Sequence, residues 1–391
     1  MTPEPSPWAD LTRDLLLDIS GRLHDVIDFV RFHAVCKPWR ATAAQRSPAA
    51  SPWILGLSNN NRIIHCTAVN LASPCKTLSD RDFDLEAPLP GTSSYGGRRK
   101  SRNWVGRADG MNASIFVMGP EPRLVDLYTG AVTPLRPLPE LDDEEIRRSM
   151  ENVHGIVYGD GTVFLYSSSY TWRSVFTAAV LRPGDAARTV MKMNPKAGDD
   201  RESCAAYHGG KVLLDMGMSS WCVVTQEGLG CSVRCDPIAR FKRVHVENYV
   251  LQSNGKLLWV SVHADIDWYI GISGGSYPDM WVMVQALEEE AGGENMRWVT
   301  MDTRSLGDRV LFLGYPTSFA MDSCQLSMDG GCAYFVFQYW MLRYRFDDGE
   351  TESVMYHPLT RTDAHVWLRP QPPIAPMTEI QKRLEARFKL K

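Results

Sequence analysis

The chain has 391 residues, 44% of them hydrophobic and 23% charged, which is the balance of a globular protein with room for one large domain and a small one. A net charge of −4 gives no global basic field for nucleic acid, and no apolar run is long enough to span a bilayer. Nine scattered cysteines form no C-x-x-C pair and no Cys/His cluster at zinc spacing; with no apolar leader in MTPEPSPWADL, they are expected to be small buried hydrophobes in a reducing compartment, cytoplasmic or nuclear.

Residues 8–47 are expected to form three short helices. In WADLTRDLLLDISGRL, Thr12 caps the first helix and Asp14 sits in the turn where the dipole favours a negative charge. At 100° per residue, Leu15, Leu16, Ile19 and Leu23 share one face, and Leu17 points away. In DVIDFVRFHAVC, Val26, Ile27, Phe29, Val30 and Ala34 make a broad face, with Phe32 and Val35 opposite. Pro38 suits the first turn of the third helix, and Trp39 follows as a large anchor. So small a unit cannot bury that much apolar surface alone. Either the rest of the chain or another protein must cover it.

The run Leu11, Asp14-Leu15-Leu16, Ile19, Leu23, then Asp28-Phe29-x-Arg31-Phe32-x-x-Val35-Cys36-Lys37-x-Trp39-Arg40 resembles an F-box, with Thr12 where that family usually has proline. The resemblance implies docking on the Skp1 adaptor of a cullin–RING ubiquitin ligase. The docking residues would be Leu11, Leu15, Leu16, Ile19, Leu23, Val35 and Trp39. Periodicity alone favours an ordinary N-terminal helical hairpin packed on its own domain.

SPAASP at 47–52 is a linker or turn, and Trp53-Ile54-Leu55 opens a region of short apolar runs. Asp160-Gly161-TVFLY, Gly209-Gly210-KVLLD, Asn254-Gly255-KLLWV and Gly330-Gly331-CAYFV each pair a tight turn with an apolar strand. Their starts lie 49, 45 and 76 residues apart, and an earlier unit runs from Asp109-Gly110 through SIFVMG. The last gap also holds WVMVQAL, RWVTM and RVLFLG, which suggests a longer unit with insertions. Units of this length, each with several strands, predict a mainly β chain. The expected architecture is a β-propeller of about six blades over 53–360. RLVDLYTGAVTPLRPLPEL resembles a segment of kelch-type and plant F-box-associated propellers, while YVLQSNGKLLWVSVH, WVTMDTRSLGDRVLFLGYPTSFAM and GGCAYFVFQYWMLRYRFDDGETESV are similar to segments of the plant KIB-type propeller. In that family the resemblance implies a receptor role without naming a target.

Residues 376–391 predict a short amphipathic helix, with Ile380, Leu384 and Phe388 on one face and Lys382, Arg383, Arg387 and Lys389 on the other. It is read either as packed on the rest of the chain or as a surface for a partner. His263, Asp265 and Asp267 share one side of an extended strand, but they more commonly mark a solvated strand end than a metal or acid–base site. There is no G-x-S-x-G elbow, P-loop or G-x-G-x-x-G opening a helix. The basic run 98–102 and the acidic run 140–145 read as exposed loops. Trp259, Trp281 and Trp298 fall in strands as packing residues, while Trp172, Trp268 and Tyr269 fall near loops as candidate target-binding aromatics. The expectation is therefore a non-enzymatic substrate receptor of an SCF ubiquitin ligase. It has no catalytic residue, cofactor or metal, and it binds a Skp1-like adaptor, a cullin through it, and an unknown target protein. Nucleic acid and membrane are not among its partners. The alternatives are a ligase-independent binding propeller and, less favoured, a propeller hydrolase or lectin.

Overall fold

The structure is a computed structural model. It describes residues 11–22, 32–33, 35–41, 52–57, 63–68, 77–78, 103–111, 113–117, 121–126, 132–135, 153–167, 176–185, 189–193, 204–216, 220–225, 228–236, 243–265, 277, 279–289, 296–326, 328–337, 340–356 and 365–369. The chain divides into two compact units, Met1–Pro52 with Arg369–Lys391, and Trp53–Leu368. In the first, the described helices are α1 (Arg13–Arg22) and α2 (Lys37–Ala41). Helix expectations for 23–31 and 376–391 lie outside the described residues, as do the charged runs at 98–102 and 140–145.

The second unit is mainly β, with propeller-like sheets, and its strands come as consecutive antiparallel groups. One group is β4 (Trp104–Arg107), β5 (Ala113–Val117), β6 (Arg123–Asp126) and β7 (Val132–Pro134). The next is β8 (Val153–Val157), β9 (Val163–Ser167), β10 (Phe176–Leu181) and β11 (Thr189–Met193). It is followed by β12 (Ala205–His208), β13 (Lys211–Asp215), β14 (Trp221–Thr225) and β15 (Gly228–Cys235). Then come β16 (Arg243–Ser253), β17 (Lys256–Asp265), β18 (Met280–Glu289) and β19 (Met296–Thr300). Parallel contacts join the first strands β4 and β8, and the last strands β15 and β19.

The turn dipeptides read from the sequence lie between first and second strands. Asn254 and Gly255 join β16 to β17 with φ of 51° and 74°, the left-handed pair that a two-residue hairpin requires. Asp109 and Asp160 work differently: each carboxylate accepts the N–H two residues on, from Met111 at 2.9 Å and Thr162 at 2.8 Å.

Gly330-Gly331 departs from this pattern. Here β20 (Arg309–Leu313) and β21 (Phe319–Asp322) are followed by α3 (Ser323–Leu326). The chain then enters β22 (Cys332–Phe337), β23 (Trp340–Arg345) and β24 (Thr351–Tyr356). β22 runs parallel to β20, so these glycines do not turn an antiparallel hairpin. Gly330 instead permits a close approach, because a Cβ there would run into the Gly307 carbonyl oxygen. The inserted β20 and β21 account for the 76-residue gap.

Beyond residue 360, where the sequence reading ends the domain, β25 (His365–Leu368) pairs with β1 (Trp53–Leu57). β2 (Ile63–Ala68) and β3 (Thr77–Leu78) complete that sheet in the order β25-β1-β2-β3. Joining the two ends of the unit in one sheet removes the fraying that a terminal strand would otherwise show.

The groups pack face to face in chain order. Val105 and Phe116 meet Leu165 and Ala179. Phe164 and Val180 meet Val212 and Val224, and Trp221 meets Trp259 and Trp298. Val260 and Val284 meet Leu311 and Phe335; Phe312 and Tyr334 meet Ile54 and Trp367. Central strands therefore carry apolar residues on both faces, as β17 does from Leu257 to Ala264.

Candidate functional site

In the helical unit, α1 buries one stripe and leaves the neighbouring stripe open. Leu16 and Ser20, four residues apart, are buried. Leu11, Leu15 and Ile19 form the adjacent stripe: Leu15 is 50% exposed and the other two are half-buried. Val35, just before α2, is 62% exposed, and Trp39 is half-buried. Leu23 lies outside the described residues. Leu16 is thus an internal residue of the unit, whereas Leu15 and Val35 face outward.

A polar link missed by sequence reading joins α1 to α2. His33 is buried; its Nδ1 lies 2.7 Å from the Trp39 carbonyl and its Nε2 lies 2.9 Å from Ser20 Oγ. A carbonyl only accepts, so Nδ1–H donates to Trp39 and Nε2 accepts from the Ser20 hydroxyl. Burial pushes the imidazole pKa down against the pull of the Trp39 carbonyl, which keeps this neutral arrangement. Phe32 packs on Trp39 with ring centroids 4.3 Å apart. Trp39 therefore supports the unit's interior as well as part of its surface.

In the β unit, the first strands of successive groups converge on a cleft of about 300 Å³, counting the part open to solvent. Ile156 and Tyr158 at the end of β8, Ala206 of β12, Leu251 of β16 and Thr317 contribute to its wall. Gly106 makes room for Thr317, because a Cβ there would collide with the threonine hydroxyl. Tyr315 donates its hydroxyl to the Asn248 carbonyl at 2.5 Å, tying this loop to β16. His154 lies on the same face of β8 as Ile156 and Tyr158, and its ring stacks on Tyr315 at 5.9 Å and 25°. Both His154 nitrogens are buried without a hydrogen-bond partner among the described residues, and so is Thr317 Oγ1.

Burial pushes the His154 pKa down to about 3 from 6.5. The unfolded chain therefore binds the extra proton first. The stability contributed by neutral His154 is complete above about pH 6.5 and is lost as pH falls toward 3. At about pH 4.5 the loss reaches about 2–3 kcal/mol. Urea unfolding at pH 7 and pH 4.5 is expected to show that extra loss in the wild type and not in His154→Phe; equal losses in both would contradict it.

The other candidate positions are more ordinary. His263 is buried, with Nε2 3.1 Å from Ser261 Oγ and its ring 5.2 Å from Trp281. Asp265 is half-buried, and Asp267 lies outside the described residues. Among the described residues no three His, Cys, Asp or Glu side chains cluster as metal ligands. Trp172, Trp268 and Tyr269 lie outside the described residues. Cys204, Cys222 and Cys332 are buried, and burial raises each thiol pKa. Cys36, expected from the sequence to be buried with them, is half-buried, and Cys231 and Cys324 are exposed.

A family model described as KIB1-4 beta-propeller matches residues 77–367. No curated protein matches the chain significantly. Among solved structures, a lignostilbene dioxygenase from Pseudomonas brassicacearum is similar at 10% identity and TM-score 0.30, over 66% of this chain and 61% of its own. A xylan beta-1,4-xylosidase from Bacillus halodurans is similar at 12% identity and TM-score 0.30, over 69% and 52%. An alpha-L-arabinofuranosidase from Clostridium thermocellum is similar at 12% identity and TM-score 0.25, over 64% and 94%. The chain thus spans less than two thirds of the length of the first two.

Proposed function

The chain belongs to the KIB1-4 beta-propeller family, and from that premise we propose that it is the substrate receptor of a Skp1–cullin–F-box ubiquitin ligase, working in the cytoplasm or nucleus. The N-terminal helices are the F-box, and the second unit is a six-bladed propeller that binds a target protein. Four four-stranded groups, the β20–β24 sheet and the closing β25-β1-β2-β3 sheet support that blade count. A propeller offers a rigid rim for a protein partner rather than reacting groups. Its contribution is proximity: a target held beside a ubiquitin-charged enzyme sees a raised effective concentration.

The observation that carries the adaptor half is the outward pair Leu15 and Val35. They are two of the three large hydrophobic side chains exposed among the described residues, and both fall in the F-box-like run. A large apolar side chain left open in this run is a candidate for cover by a partner. The test is affinity purification of the full chain from cell extract. A Skp1-like adaptor and a cullin are expected to copurify. Recovery of other proteins without either would instead favour a ligase-independent binding propeller.

A further inference from the structure

We infer that residues 376–391 are a strap for the open stripe of α1: an antiparallel helix that lays Ile380, Leu384 and Phe388 on Leu11, Leu15 and Ile19, and that the adaptor displaces. The adaptor's part rests on the receptor reading; the strap itself does not. Three features identify the occupant. First, the two faces match in pattern. Leu11, Leu15 and Ile19 stand at intervals of four, and so do Ile380, Leu384 and Phe388. At 100° per residue, Asp14 and Asp18 border the α1 stripe on one side, and Arg383 and Arg387 border the tail's stripe on the same side at the same offsets. Edges of the same hand meet only when two helices run antiparallel. That packing sets Leu15 against Leu384, with Asp14 and Asp18 along the edge that carries Arg383 and Arg387. Asp14 and Asp18 are both exposed. Asp18 reaches Arg22 at 2.9 Å, but both side chains are largely open to water, which leaves that pair weak.

Second, connectivity brings the tail to the helices. Leu368 at the end of β25 pairs with Trp53 at the start of β1, so the chain to the helices and the chain to the tail leave from one place. Residues 369–391 belong to the same compact unit as residues 1–52. Pro370, Pro372, Pro373 and Pro376 make the intervening stretch a semi-rigid spacer, about 20 Å long if extended as polyproline. Third, the balance suits a strap that opens. The stripe stands open in the structure, with Leu15 50% exposed. A helix this short is marginal on its own. A short tether holds it at an effective concentration in the millimolar range, so a weak contact populates the closed form and an adaptor of micromolar or better affinity displaces it.

The experiment places cysteine pairs in the full chain, oxidises with glutathione disulfide and maps the linked peptides without reduction. Leu15→Cys with Leu384→Cys is expected to link within one chain at least fivefold more than Leu15→Cys with Lys382→Cys, whose second thiol lies on the opposite face of the tail. Equal linkage by the two pairs, no linkage, or links between two chains instead of within one would overturn the strap. Arg383→Asp combined with Arg387→Asp is expected to tighten binding of purified adaptor at least threefold, with no change in unfolding midpoint. Unchanged adaptor affinity in that variant would overturn the competition. Intrachain linkage is read without adaptor, so failure of the strap and failure of the receptor reading are told apart.

Discussion

Trp298→Ala is expected to lower the unfolding free energy by about 3–5 kcal/mol, the range for deleting a fully buried large aromatic. The indole is fully buried, at 0% exposure, and completes a three-tryptophan cluster with Trp221 and Trp259, its ring centroid 5.3 Å from one and 5.8 Å from the other. The cluster joins β14, β17 and β19, so the loss loosens two strand groups rather than one hairpin. Against a total of about 5–15 kcal/mol, that is a large fraction, and soluble yield should fall with it. Trp298→Phe separates packing from polarity. Trp298 Nε1 has no partner among the described residues, so Phe removes an unpaired N–H and keeps most of the ring contact. Its cost is expected to be well under half that of Ala. Trp259→Phe should cost more than Trp298→Phe, because Trp259 Nε1 donates to Asn248 Oδ1 at 2.8 Å. Urea titration of the three variants measures this order, and equal losses for both Phe variants would contradict it.

The cluster shows what the sequence makes legible. Trp259 and Trp298 lie within apolar runs bounded by turn residues, and their role in packing follows from that. Type and rough spacing of the strand groups are local properties, carried by pairs such as Asn254-Gly255. Sheet order is not. The pairing of β25 with β1 joins residues some 300 apart through a four-residue strand, too short to stand out from a loop. The parallel β20–β22 pair was hidden for a related reason: Gly330-Gly331 looks like every other hairpin turn, and only its packing on Gly307 shows otherwise. Because central strands are apolar on both faces, alternation could not say which side faced which neighbour.

The sites were legible in part, and unevenly. Outward Leu15 and Val35 belong to a pattern visible along a helix and its flank. Ser20 and His33 stand 13 residues apart, a separation no helical period connects. The cleft threonine was invisible. Thr317 sits in a GYPTSF loop with no motif, and its meaning comes only from Gly106, which lies 211 positions earlier and yields it space. Sequence pattern finds faces; it does not find what two distant loops build together.

Leu15→Asp combined with Val35→Asp is expected to weaken adaptor copurification at least about 100-fold while leaving the chain folded. A Trp39→Ala variant would be a poorer test. Trp39 packs on Phe32, and its backbone carbonyl anchors His33, so its loss damages the helical unit along with any surface it offers. Leu15 and Val35 carry no such burden, being 50% and 62% exposed. Changing them should move folding stability by no more than about 0.5 kcal/mol. The introduced carboxylates, by contrast, would have to be buried without partners in an apolar interface, a cost that reaches several kcal/mol for each ion at full burial. Helical circular dichroism and the urea midpoint check the fold; quantitative pull-down against purified adaptor checks the interface. Undiminished recovery of the adaptor by the double variant would remove this stripe from the docking surface. Loss of recovery with an unchanged midpoint would place it there, because nothing else in the helical unit has been altered.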